Sequence, residues 1–576
     1  MTADSMGKGC RIEENEQRSE EKHYVRLGER ILESEGRILA ATGSLSCLRA
    51  LYMTAERIQA LDRFCFCILS EAEYATGQTE NRLQEMLQYA LREKPCDGIV
   101  VYASCLEIIT RLDFSHLLKK LENPHHVPVQ VLFRGPMVRR YRNPPEELEK
   151  LLENIPVTGR SAAGGLPLLP PPMPDFEAVS GVLQAYPVYR ILISGGGCDG
   201  CIEKSPLCGD DYQLRKTRLN DLEVAAGCEP SICAGIRRDW TACGKGALCC
   251  LLGSAMPAAV GMDFRRILAG LTKTGIPAVY FPTDGFHSAQ EGLGEFYKAL
   301  EERVLQAPGE AENDAETSPC MGILGAHLYA AASREKIAHG LEHLDWDGYS
   351  YMFPEDVLKE EPSARSCPAA NWVVTAEGIP AAEYMREKKG IPYMAGVPVG
   401  MRGMVQWRRE IARLLGGKSE GIPEEPVPVP ARPDAPAVLL EGDPLLTQGI
   451  SAWLQEMCGI TQTVRCIYAP VKTQAAWYRS VLRQADLAMP GRNFRDVRYV
   501  ADEKTWEQLV KAADLVIADA VLACSLPDTV RKTVQWIDLP SPVLSHGIRT
   551  AFPEYTIFGK KGAAWLQSRM EDGSRL

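Results

Sequence analysis

Apolar residues recur along the chain in short continuous runs, separated by stretches whose apolar positions follow a helical period. VLLEGD (438–443) predicts a strand, and PLLTQGISAWLQEM after it carries the stripe of an amphipathic helix. ADLVIADAV (513–521) predicts a further buried strand. MGILGAH (321–327), a helical run and then AANWVVTA (369–376) repeat the same alternation. Strands that are apolar throughout, rather than at every second position, belong to parallel sheets covered on both faces. The expected fold class is α/β, with several Rossmann-like doubly wound parallel sheets in series. The charge-free run 246–262 is short for a membrane span and is interrupted by Gly253 and Pro257, so it reads as a buried strand and the turn after it.

Three Pro-, Gly- or acid-rich stretches punctuate this pattern: SAAGGLPLLPPPMPD (161–175), QAPGEAENDAETSP (306–319) and GIPEEPVPVPARPDAP (421–436). They suggest four domains, at 1–160, 161–316, 317–425 and 426–576. The first two resemble each other. LSEAEYATG (69–77) matches LNDLEVAAG (219–227), and ASCLEIITRLDF (103–114) matches GSAMPAAVGMDF (253–264), both at an offset of 150 residues. The same offset lays Gly135 over Gly285, while GSLSC (43–47) resembles GCDGC (197–201) with four residues inserted. A sustained offset reads as a duplicated domain, so two homologous units would face each other within one chain.

Composition narrows the function. Against 75 acidic residues stand 64 Lys and Arg, a net charge of −11, which disfavours nucleic acid and anionic membranes as partners. The first residues, MTADSMGKGCRIEENEQ, contain no apolar signal core, so a reducing cytoplasm is expected. There, 19 cysteines are free for metal, redox chemistry or burial. Most read as small apolar packing residues, including Cys96, Cys249, Cys250, Cys458, Cys466 and Cys524.

Two others stand apart. Cys47 follows the apolar run ILAATG and Cys105 follows IVVYA, each where a strand turns into a helix. Such places line the ligand crevice of a parallel sheet, and a helix N-terminus favours thiolate. In the second copy Cys201 stands for Cys47, with Cys198 three residues before it, and Ala255 stands for Cys105. Cys198-x-x-Cys201 on its glycine-rich turn suits metal or redox chemistry as well as plain structure. ISGGGCDG (193–200) lacks the dinucleotide spacing, and the chain has no P-loop, so any ATP-driven step needs a partner. His546 sits in a polar loop near the C-terminus, where a lone histidine more often faces solvent or a hydrogen-bond partner than serves as a ligand.

Several of these pieces resemble the nitrogenase component 1 superfamily of nitrogenases, cofactor-assembly scaffolds and nitrogenase-like reductases. They are G-x-x-x-C at Gly43 to Cys47, the block at 69–77 and the strand ending IVVYASC. PAANWVVTAEGIPAAEYMREKKGIPYMAGVPVG (368–400) and the C-terminal DLVIADAV…IFGKKGAAWL complete the likeness. The resemblance implies related units of Rossmann-like domains holding an iron–sulfur cluster between N-terminal domains. On this likeness Cys47 and Cys105 match two cluster ligands and Cys201 matches the first of these in the partner-like copy. The family's further upstream cysteine would fall on Cys10, and His546 falls in the region of its cofactor histidine.

The resemblance implies an oxidoreductase component with an iron–sulfur cluster, expected as 4Fe–4S, working under anoxia and binding no nucleotide itself. Its expected electron donor is a separate P-loop iron–sulfur ATPase, and a related subunit or second copy is an expected assembly partner. Two other functions share the fold: a non-catalytic scaffold for cluster assembly, and a cluster-free small-molecule-binding or docking protein.

Overall fold

In the computed structural model the described residues are 12–13, 27–133, 143–156, 158, 166–195, 197–205, 207–208, 214–243, 248–304, 320–327, 350–354, 368–415, 422–545 and 558–573. They group into two units, Met1–Ala289 and Gln290–Leu576, each carrying two sheets.

The first sheet of the N-terminal unit joins β2 (Arg37–Gly43), β3 (Phe64–Ile68), β4 (Gly98–Ala103) and β5 (Val129–Phe133), following the short β1 (Ile12–Glu13). Its strands run parallel in the order β3-β2-β4-β5. Successive residues alternate between two cores. Leu39, Ala41, Val100 and Tyr102 pack with Leu48, Leu51 and Tyr52 of the helix Leu45–Arg57, whereas Ile38, Ala40, Ile99 and Val101 pack with Leu83 and Leu87 of the helix Thr79–Glu93. This two-sided burial is why the strands read as unbroken apolar runs.

The second sheet contains β6 (Tyr189–Ile193), β7 (Arg215–Thr217), β8 (Cys249–Gly253) and β9 (Ala278–Phe281) in the order β7-β6-β8-β9, with β1 antiparallel on its β7 edge. The strand order repeats that of the first sheet. The spacing repeats too: helix Cys105–Ile109 is followed 150 residues later by Ala255–Ala259, with Ser104 and Ser254 as their N-caps. Asp113 and Asp263 cap the next helix in each copy. Gly77 and Gly227 both take positive φ, 70° and 84°, which a glycine tolerates without a Cβ penalty.

Within the C-terminal unit, β10 (Cys320–Leu324), β11 (Ser350–Met352), β12 (Ala370–Val373) and β13 (Tyr393–Ala395) form a parallel sheet in the order β11-β10-β12-β13. The last sheet, β14 (Val438–Glu441), β15 (Thr463–Tyr468), β16 (Arg498–Val500), β17 (Leu515–Ala518) and β18 (Gln535–Asp538), runs β16-β15-β14-β17-β18, again all parallel. Every sheet therefore has a point where the strand order reverses, and ligands bind at the carboxyl ends of the strands flanking that point. No helix among the described residues is long and apolar enough to cross a membrane.

Candidate metal centre

In the first sheet the order reverses beside β2, whose neighbour β4 begins the other wing, so the crevice lies at the ends of β2 and β4. Cys47 follows β2 as the third residue of the helix Leu45–Arg57, and Cys105 follows β4 as the first residue of the helix Cys105–Ile109. Both thiols are half-buried. Gly43 makes the turn into Cys47 possible, because a Cβ there would lie 2.9 Å from that of Cys47.

Cys105 is held by a buried polar network centred on Glu107, which is 1 % exposed. Its Oε2 accepts from the Ser104 backbone N–H at 2.7 Å and the Ser104 hydroxyl at 2.6 Å. Its Oε1 accepts from Thr42 at 2.9 Å and from the Tyr74 hydroxyl at 2.7 Å. Four donors compensate the burial of one carboxylate. The network fixes the N-cap of the Cys105 helix to β2, and burial together with the neighbouring charges of Glu107 and Cys47 pushes the Tyr74 phenol well up. Sequence reasoning missed Glu107, although Ser104-x-x-Glu107 is a legible capping-box signal.

The second copy brings its own thiols to this neighbourhood. Gly197, at φ 75°, starts the 3₁₀ turn Cys198–Lys204 after β6. Burial pushes the Cys198 thiol up, and negative charge on Cys47 and Cys105 pushes it further. The charges of two first-copy thiols thus reach one thiol of the second, although among the described residues the three sulfurs do not all lie within 4.8 Å of one another. Cys201 is fully buried and its thiol donates to the Cys198 carbonyl at 3.8 Å, while burial and then the Glu177 charge push that thiol well up. Glu177 in turn pairs with Arg49 of the helix Leu45–Arg57 at 3.1 Å, both side chains wholly buried, and Arg49 also donates to the Pro171 carbonyl at 3.2 Å. Lys216 and Asp199, another buried pair at 2.8 Å, hold the same turn from below.

The two copies meet around the thiols. Leu69, Tyr74 and Leu106 pack with Ala255 and Phe286. The loop after β9 closes on the start of the Cys47 helix, where the Ser46 N–H donates to the Gly285 carbonyl at 3.3 Å. Gly285, at φ 76°, has no room for a Cβ, which would sit 2.7 Å from the Ser46 hydroxyl oxygen. Asp175 fixes this loop by accepting from the backbone N–H groups of Asp284 at 2.6 Å and Gly285 at 2.7 Å. Asp175, Asp284 and His287 could together face a cation, but His287 already bonds Asp284 at 2.7 Å, and the cluster reads as the latch of the loop.

Cys10 and His546 lie outside the described residues. Cys96, Cys249, Cys250 and Cys466 are buried, and Cys458 and Cys524 half-buried. Cys47, Cys105 and Cys198 have the donor chemistry for iron. Thiols that oppose one another's ionisation ionise together only beside a positive charge, and soft thiolates select iron–sulfur clusters.

The crevices of the C-terminal unit carry carboxylates instead. After β12, Glu377 is buried and accepts from the Thr375 hydroxyl at 2.5 Å. After β14, Asp443 caps the helix Pro444–Cys458, accepting from Leu445 N–H at 2.9 Å, and also accepts from Ala376 N–H at 2.9 Å. Burial, then the nearby Asp443 charge, pushes Glu377 up to about 7, and burial pushes Asp443 up to about 6. Glu441, at the end of β14, is pushed by burial up to about 8.

Repeated parallel sheets with chemistry at every reversal define a class of α/β proteins built from serial Rossmann-like units. Within that class, residues 201–439 match the family described as nitrogenase component 1 type oxidoreductase. A solved structure titled "Nitrogenase Cp1 at pH 6.5" aligns with a TM-score of 0.50 and 12 % identity, covering 73 % of this chain and 96 % of that one. "Nitrogenase Cp1 at pH 5" aligns with a TM-score of 0.45 and 13 % identity, over 70 % and 88 % of the two chains. No curated protein sequence matches. Across residues 201–439 the chain is thus similar in sequence to the nitrogenase component 1 type oxidoreductase family, and its fold is similar to that of the first of these solved structures.

Proposed function

We propose that the chain is the electron-accepting component of a nitrogenase-like iron–sulfur oxidoreductase that reduces a small molecule. The observation that carries this reading is the charge contact of Cys198 with Cys47 and Cys105 where the two N-terminal copies meet. In this reading those three thiolates hold a 4Fe–4S cluster, which when bound supplies one-electron storage and transfer. Cys201, bonded to the Cys198 carbonyl, acts as a positioning residue for that turn, Cys10 remains a candidate further ligand, and His546 a candidate contact to cofactor or substrate. Glu107 and Tyr74 hold the Cys105 helix in register.

A reduction consumes protons as well as electrons, and Glu377, raised by burial to about 7 and so partly protonated at neutral pH, is suited to supply them. The electron donor is a separate P-loop iron–sulfur ATPase that handles the nucleotide, and the setting is an anoxic cytoplasm. Four domains are assigned, at 1–160, 161–316, 317–425 and 426–576, with β1 of the first adding an edge strand to the sheet of the second. The test is electron paramagnetic resonance on protein purified under anoxia, mixed with a nitrogenase-type iron protein and MgATP. A reduced-cluster signal that depends on both additions is expected. Protein that carries iron and sulfide but is never reduced would favour the assembly-scaffold reading instead.

A further inference from the structure

Away from the strand-end crevices, the C-terminal unit has a groove of about 610 Å³ bordered by the helix Pro444–Cys458, the start of β15, the turn 490–493 and the strand β16. Its size suits a small metabolite. Three arginines line it: Arg465 on β15, Arg492 on the turn and Arg498 on β16. Two carboxylates do so too, but Glu456 is engaged by Arg402 at 2.7 Å, leaving Asp496 as the counter-charge of the groove.

Arg465 is the unusual member. It is only 8 % exposed, and no carboxylate among the described residues forms an ion pair with it. One amino group donates to the Asn493 carbonyl at 2.5 Å, bracing a turn in which Gly491 and Asn493 both take positive φ, 92° and 55°. The other amino group, Nη1, is shielded from solvent and has no hydrogen-bond partner. A cation buried without an anion is costly, and Asp496 offsets only part of the cost. Arg492 is half-buried and Arg498 exposed, and neither is paired with a carboxylate among the described residues. Guanidinium forks match the planar or tetrahedral oxygens of carboxylates and phosphates in two-point contacts.

We propose that this groove binds a small molecule bearing two or more oxyanion groups, carboxylate or phosphate, through Arg465, Arg492 and Arg498. Its remaining polar edge, with Ser451, Gln455 and Asp496, suits the hydroxyl or amino groups of such a ligand. The site is separate from the thiols and does not depend on whether a cluster is held there.

Isothermal titration of the full chain at low ionic strength, with citrate in one arm and pyrophosphate in the other, tests it and separates the two sources. Saturable one-to-one binding of at least one probe is expected, weakened at least tenfold in the double variant R492A/R498A. The control R495A removes an exposed arginine that pairs with Asp486 and does not line the groove, and it should shift affinity less than twofold. If neither probe saturates, if the double variant binds as well as the parent, or if R495A loses as much, the proposal is overturned.

Discussion

The two N-terminal copies share a strand order and a 150-residue spacing but differ at the crevice. The first places a thiol at the end of each of two adjacent strands and locks one of them with a buried carboxylate. In the second, Ala255 and Pro257 stand where the first has Cys105 and Glu107, and its thiols move to a glycine-started turn. The sheet and its apolar faces survive duplication because any change there disrupts packing on both sides. Residues at strand ends are free to diverge, since they touch the crevice rather than the core. One copy thus carries paired thiols at adjacent strand ends, and the other a glycine-started turn and the loop that closes over Ser46.

The largest expected effect comes from removing a thiol of the first copy. Cys47→Ala or Cys105→Ala should reduce the iron content of anoxically purified protein to near background, whereas Cys233→Ala, in the second copy's own core, should leave it unchanged. Equal loss in all three, read by iron and sulfide analysis, would erase the distinction between the copies.

Next is the pair that ties them together. Arg49→Ala leaves Glu177 buried without its cation, at an expected cost of about 3–5 kcal/mol in denaturant unfolding. Replacing both, as Arg49→Met with Glu177→Gln, should recover much of that loss, and no recovery would mean that the charges matter for more than each other. Glu107→Ala strips four hydrogen bonds from Ser104, Thr42 and Tyr74. It should cost about 2–3 kcal/mol, while Pro257→Ala, its counterpart in the second copy, should cost under about 1 kcal/mol.

The smallest effect concerns the C-terminal crevices, which carry carboxylates where the N-terminal ones carry thiols. Because burial raises Glu441 to about 8 in the folded state, the native chain holds a proton that the unfolded chain releases near pH 4.5. Stability therefore falls as pH rises from about 4.5 to about 8, the opposite of a salt-bridged carboxylate. Glu441→Gln should flatten that fall and raise stability at pH 8.5, with little change at pH 5. A thermal-unfolding series that shows no pH-dependent gain would place the cost of this crevice elsewhere.

Much of this was readable beforehand because parallel strands buried on two faces announce themselves. VLLEGD gave β14, ADLVIADAV gave β17, and the run 246–262 became β8 with the helix Ala255–Ala259 after it. Cys47 and Cys105 were legible because a strand end followed by a capped helix is a local signal. The charge contact between Cys198 and the first-copy thiols was not, since alignment across a four-residue insertion pairs Cys201 with Cys47 and says nothing of Cys198. The raised carboxylates after β12 and β14 and the arginine groove were invisible for a related reason. Each is assembled from segments far apart in sequence, so no single stretch carries its pattern.

Iron and sulfide content of protein purified under anoxia as Cys198→Ala and, separately, as Cys201→Ala tests the central claim most directly. If the centre is built from Cys47, Cys105 and Cys198, the first variant loses the cluster and the second retains it in folded protein. Cluster loss in Cys201→Ala with retention in Cys198→Ala, or a parent protein that binds no iron, would contradict the account.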